Sequence, residues 1–164
     1  MTNVITAEGQ KELSGVDSGG YHNIVTVKYT VGWYGSSADY VFSNDADSDE
    51  EGLQLGGTNI IPALARVIDV VVVATEGWTG GGGAETAFAT VVGTASGGAQ
   101  YMTSVNIDGL NDIGGCNVIK SGMPPPSASA TSVYISKNPT INNWGALTAG
   151  IDTVYITYID NSAL

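Results

Sequence analysis

The feature that most constrains this chain is the segment 59–75, which opens with Ile60, Ile61 and Pro62 and then becomes almost pure valine and isoleucine. Val67, Ile68, Val70, Val71, Val72 and Val73 are all β-branched. Such side chains lose χ1 freedom in a helix and pack well on a pleated surface, so residues 66–75 are expected to form a strand. Their apolar character is nearly continuous rather than alternating, which predicts a core strand covered on both faces. Something must wrap it, and the remainder of the sequence offers more strands and almost no helix.

At 164 residues the chain is long enough for one domain with a real core. Only 13% of residues are charged, about half the usual share, and 23 are glycine. Together with the abundant Val, Ile and Thr, this describes an all-β protein with long polar loops. Sixteen acidic residues against five basic ones give a formal net charge of −11. That field repels phosphate backbones and anionic lipid, so nucleic acid and membrane surfaces are not expected partners. Cys116 is the single cysteine, which excludes an intramolecular disulfide and suits a small buried hydrophobe. The first residues lack both the basic and the apolar regions of a signal peptide, so none is expected. The run 70–74 is far too short to span a bilayer.

Residues 1–20 are polar with no sustained period, and are expected to be an N-terminal arm, extended or disordered unless a partner holds it. One helical turn over 8–13 is the most it could form. Val25, Val27, Tyr29, Val31 and Trp33 then alternate with Thr26, Lys28, Thr30 and Gly32, the pattern of a half-buried antiparallel strand. A turn at 35–37 predicts that residues 38–42 return as the second arm of a hairpin. An acidic tip follows at 43–52, then short β segments at 53–55 and 59–61, with Pro62 marking an edge or corner. The glycine-rich stretch 76–84 is expected to be a loop. Further strands are expected at 85–92, 100–107, 116–120, 131–136, 140–144 and 151–159. Pro124, Pro125 and Pro126 predict an extended crossing. Eight or nine strands joined by long connections imply one antiparallel β-sandwich domain over 21–164, jelly-roll-like rather than a meander.

Few residues offer chemistry. Asp45, Asp47 and Asp49 have the alternating carboxylates that open a calcium loop, but Glu50 stands where the tight turn wants glycine and Gly56 where a bidentate glutamate belongs. They are a weak calcium candidate within a solvated acidic loop. Gly80 to Gly83 lack the Gly-Lys-Ser/Thr of a phosphate cradle. His22 is the single histidine and nothing near it resembles a nucleophile elbow, so no catalytic residue is assigned. Glu76 and Glu85 flank a loop beside Trp78, yet two acids among 16 are no glycosidase signal. Trp33, Trp78 and Trp144 suit a core or an interface better than a sugar platform. No cofactor is expected. Val4, Ile5, Leu13, Trp78 and Trp144 are the interface candidates.

With these residues laid out, Ile60 to Val70 resembles an "IPAgArVidV" segment found in virion proteins of tailed bacteriophages. Val71 to Thr75, then Val92, Gly93 and Thr94 with Tyr101 downstream, are similar to the strands that follow it there. Residues 147–158 resemble the closing "lTAG...v.i.Y" strand, so the likeness covers about 60–160. It implies a non-enzymatic β-sandwich decoration (cement) or minor structural protein. Such a protein would be made in the host cytoplasm and mounted on the capsid exterior. It would clamp subunits of the major capsid protein, often as a trimer. A receptor- or carbohydrate-binding module on a fibre or tail is the alternative.

Overall fold

The computed structural model describes residues 4–6, 9–14, 23–44, 51–80, 83–84, 88–107, 116–118, 124–139 and 144–161. In chain order the strands are β1 (Val4–Thr6), β2 (Gly9–Ser14), β3 (Asn23–Gly32), β4 (Tyr40–Val41), β5 (Glu51–Leu55) and β6 (Arg66–Gly80). They continue as β7 (Gly83–Ala84), β8 (Phe88–Gly93), β9 (Met102–Asn106), β10 (Cys116–Val118), β11 (Val133–Pro139) and β12 (Leu147–Asp160). A 3-10 turn, Trp144–Ala146, precedes β12.

The strands form two sheets, the all-β antiparallel sandwich that the alternation predicted. The first runs β1-β2-β3-β12-β6-β10, with β4 on β3 and β7 on β6; the second runs β5-β11-β8-β9. The partners follow a rule: β3 pairs β12, β5 pairs β11, β6 pairs β10 and β8 pairs β9. Apart from β1, β2, β4 and β7, the early strands thus meet late ones in nested order, and β3, β5, β6 and β8 alternate between the two sheets.

The valine-rich segment lies inside the first sheet, but differs from expectation in two ways. It extends to Gly80, because Leu147 pairs with Gly80 and Ala149 with Thr79 through irregular register. The loop expected to start at residue 76 is therefore strand as far as Gly80. Only one face is also fully covered. Val67, Val70, Val72, Ala74 and Trp78 are buried, whereas Val71 and Val73 are half-buried and Ile68 is 38% exposed. A two-layer sandwich encloses one side of each sheet, and the described residues supply no third layer. A bulge opposite Thr157 and Tyr158 absorbs Ile68, which lets both Val67 and Val70 face inward.

The structure differs from the sequence reading at several local points. The N-terminal arm is not free over its described part, since β1 and β2 form a hairpin and β2 pairs with β3 from Gln10 to Ser14. Strand replaces the helical turn considered there, because an open edge on β3 satisfies more backbone groups than one isolated turn. The return after the first strand is parallel, with Val31 opposite Tyr40 and Gly32 opposite Val41. Thr30 fixes this loop: its hydroxyl donates to Asp39 Oδ2 at 2.7 Å and accepts from the Asp39 N–H at 2.9 Å. Residues 59–61 form only an isolated bridge from Ile61 to Thr131, and the described end of the expected 140–144 strand is the 3-10 turn.

Gly150 has φ +138°, and a Cβ there would overlap the Trp78 indole. Gly150→Ala is expected to cost roughly 1–3 kcal/mol in backbone strain before the overlap is counted. A lowered urea midpoint would show it; an unchanged midpoint would mean that β12 relaxes freely at this point.

Tyr158 is 2% exposed, and burial together with the nearby Asp160 carboxylate pushes its phenol up to about 12. The ordinary value is about 10, so the neutral phenol contributes fully below that pH. As pH rises through the folded value the contribution is lost. Stability should therefore fall over this alkaline interval, and Tyr158→Phe should remove that part of the fall.

Candidate functional site

The sequence places one charge on the inward face of each of two facing strands. On β11, Val133, Ile135 and Lys137 point into the sandwich; on β12, Asp152, Val154, Ile156 and Tyr158 do the same. Lys137 comes from the second sheet and Asp152 from the first, and Nζ lies 2.8 Å from Oδ2 with both side chains 0% exposed. Trp78 Nε1–H donates to Asp152 Oδ1 at 2.9 Å, and Lys137 Nζ donates to the Ile107 carbonyl at 3.1 Å. The ammonium sits 4.6 Å from the centre of the Trp78 ring and 5.0 Å from that of Phe88.

An aromatic box surrounds the pair. Phe42 stacks on Trp144 at 4.4 Å, and Trp78 lies 4.9 Å from Phe88 and 6.3 Å from Trp144. Loss of water around the carboxyl pushes the pKa of Asp152 above its usual range, against the smaller opposing pull of Lys137 and the Trp78 N–H. Neither side chain of this ion pair has exposed surface in the folded chain.

A separate cavity of about 320 Å³ lies under the proline crossing, lined by residues including Ile61, Pro62, Val67, Tyr101, Pro124 and Thr131. Its described lining carries no carboxylate, amine, imidazole or thiol; its polar groups are the Tyr101 phenol, which burial pushes above its ordinary value, the Gln100 amide and the hydroxyls of Thr94, Ser127 and Thr131. Among the described residues no three of His, Cys, Asp and Glu converge on a metal position. No helix among them is long and apolar enough to cross a membrane.

The two outer surfaces differ. On the second sheet Tyr134 donates to Gln54 Oε1, and Gln54 donates to the Gly57 carbonyl, a polar net. On the first, Ile24, Val71, Val73, Tyr155 and Ile159 form apolar rows among Thr26, Thr30 and Thr157. Trp33 and Tyr34 make a separate edge-to-face pair at 5.0 Å, with Tyr34 42% exposed.

Of the residues singled out from sequence, Trp78 and Trp144 belong to the core half of their core-or-interface reading. Their exposures of 0% and 2% leave no ring for a partner, because both close the aromatic box. Val4, Ile5 and Leu13 lie on β1 and β2, where the description extends to the backbone alone. Asp45, Asp47 and Asp49, with His22 and Glu85, lie outside the described residues. Glu76 is exposed on β6. Cys116 opens β10 opposite Val73. Sequence reasoning missed Lys137 and Asp152, although each is a charge in phase with an apolar alternation.

No protein-family model matches the chain, and no curated protein matches it significantly. In fold it is similar to a chain of the cyanophage Pam1 capsid asymmetric unit, with a TM-score of 0.57 and 15% sequence identity. The match covers 97% of this chain and 99% of that one, so the likeness in fold extends over nearly the whole of both.

Proposed function

We propose that this chain is a non-enzymatic structural protein of a phage virion, bound to the outer surface of the capsid, where it cements neighbouring shell subunits. The observation that carries this reading is the fold likeness to a cyanophage capsid component along nearly the whole of both chains. The nested pairing of β3, β5, β6 and β8 with β12, β11, β10 and β9 supports a jelly-roll path, a ribbon folded back on itself and rolled into two sheets. The charged residues brought together in the core are sealed from substrate, which supports a structural role over a catalytic one. An acidic surface with net charge −11 suits a protein crowded in many copies and disfavours nucleic acid and anionic membrane.

Two surfaces serve the contact in this reading. Among the described residues β1 pairs only with β2, so its outer edge offers backbone groups to a strand of the major capsid protein or of a second copy. Val4, Ile5 and Leu13 are the proposed contact residues of that hairpin. The apolar outer face of the first sheet is the second surface, and a closed trimer would let each copy meet identical neighbours.

Co-sedimentation with shells lacking this protein tests the reading. The full chain should bind, and a chain without residues 1–7 should keep its thermal transition while losing attachment. Undiminished attachment of the truncated chain would refute the role of β1. The Trp33–Tyr34 pair, half-buried at Trp33 and exposed at Tyr34, favours one second reading, a carbohydrate- or receptor-binding module on a fibre or tail. Glycan-array binding that is lost in Trp33→Ala, with no attachment to shells, would select it.

A further inference from the structure

Lys137 and Asp152 sit where an amine and a carboxyl are held together in a dry interior. Nζ is 2.8 Å from Oδ2, both residues are fully buried, and Asp152 Oδ2 has no well-aligned hydrogen bond despite that proximity. The other carboxyl oxygen is held by the Trp78 N–H, and the amine is anchored by the Ile107 carbonyl. Burial of an ion pair without water is costly, and neutralising both partners relieves the cost. Reactants fixed in this way reach effective concentrations on the order of 10⁵–10⁸ M.

We propose that Lys137 Nζ and Asp152 Cγ condense to an intramolecular amide that joins the two sheets of the sandwich. A proton first passes from the Nζ ammonium to Oδ2, giving a neutral amine and a carboxylic acid. Burial already pushes the Asp152 carboxyl toward the protonated form. The amine lone pair attacks Cγ, and the negative charge that develops on Oδ1 meets the Trp78 N–H. The Ile107 carbonyl holds one N–H, which orients the lone pair. The Cγ–Oδ2 bond then breaks as Oδ2 takes a second proton from the attacking nitrogen and leaves as water. Net charge is zero before and after, and no oxidant, metal or other reactant is consumed. Expulsion of the water from a closed apolar box favours the condensed product.

The bond would fasten β11 to β12 across the core, so the sheets could not separate without breaking a covalent link. That property suits a protein under load, but the inference stands on the geometry of the pair and is independent of the proposed role in a virion.

Intact-mass measurement of the full-length folded chain tests it. The expected mass is below that of the sequence by one water, with a digest yielding one branched peptide that carries both Lys137 and Asp152. Lys137→Arg should restore the full mass. A deficit that persists in that variant would place the lost water elsewhere, for example in a cyclic imide at Asp108 and Gly109, and would overturn the proposal. Should Lys137→Arg fail to fold, Asp152→Asn keeps the shape, and its condensation releases ammonia in place of water. Recovery of Lys137 and Asp152 in separate, unmodified peptides from the folded protein overturns the amide outright.

Discussion

Asp152→Ala should lower the stability of the folded chain by about 3–5 kcal/mol, because it leaves the Lys137 ammonium buried without a counter-charge. Lys137→Met strands the Asp152 carboxyl in the same way, with the Trp78 N–H as its remaining partner. Replacing both, Lys137→Met with Asp152→Ala, removes the charges together and should cost much less than the two single losses combined. Urea unfolding of the four chains measures this as a double-mutant cycle. All three variants forbid the amide, so the comparison among them isolates the stranded charge. Single losses that simply add would contradict the account of a coupled pair.

Trp78→Ala carries the second large effect, about 3–5 kcal/mol, since it empties the centre of the aromatic box. It also removes the donor to Asp152 Oδ1. Trp78→Phe separates the two contributions: a ring remains but the N–H does not, and a cost of about 1–3 kcal/mol is expected from the unsatisfied oxygen. Thermal and chemical denaturation read both changes. A Trp78→Phe chain as stable as the parent would show that Oδ1 does not need this donor.

The sandwich was legible because its signals are local. Alternation along residues 25–33 and the β-branched run at 67–73 each specify a strand from neighbouring residues alone. The limits of β6 were not legible, since Gly77, Thr79 and Gly80 resemble a loop until Leu147 and Ala149 pair with Gly80 and Thr79. The single buried face of β6 was hidden for a similar reason: a bulge at Ile68 restores an alternation that the unbroken valines conceal. The direction of β4 was equally out of reach, because Thr30 and Asp39 fix it through side-chain hydrogen bonds.

The buried pair left a trace that could have been followed. Lys137 extends the inward series Val133, Ile135, and Asp152 begins the inward series Val154, Ile156, Tyr158. A charge in phase with core residues must find a partner, and each strand carries one such charge of opposite sign. Which two meet depends on how the sheets stack, and that is a property of the assembled core. The outer apolar rows of the first sheet became visible only with register as well: Tyr155 stands opposite Val71 on one side and Lys28 on the other.

Among the described residues these observations give a chain whose charged core pair is turned inward between two sheets, with the outer edge of β1 unpaired and apolar rows on the outer face of the first sheet. Under the proposed virion role, reconstruction of an intact phage particle carrying this chain tests this most directly. The account predicts density for the sandwich at repeated, symmetry-related positions on the outer shell, with the N-terminal hairpin against a capsid subunit. Density confined to a tail or fibre, in a few copies with no shell contact, would contradict it.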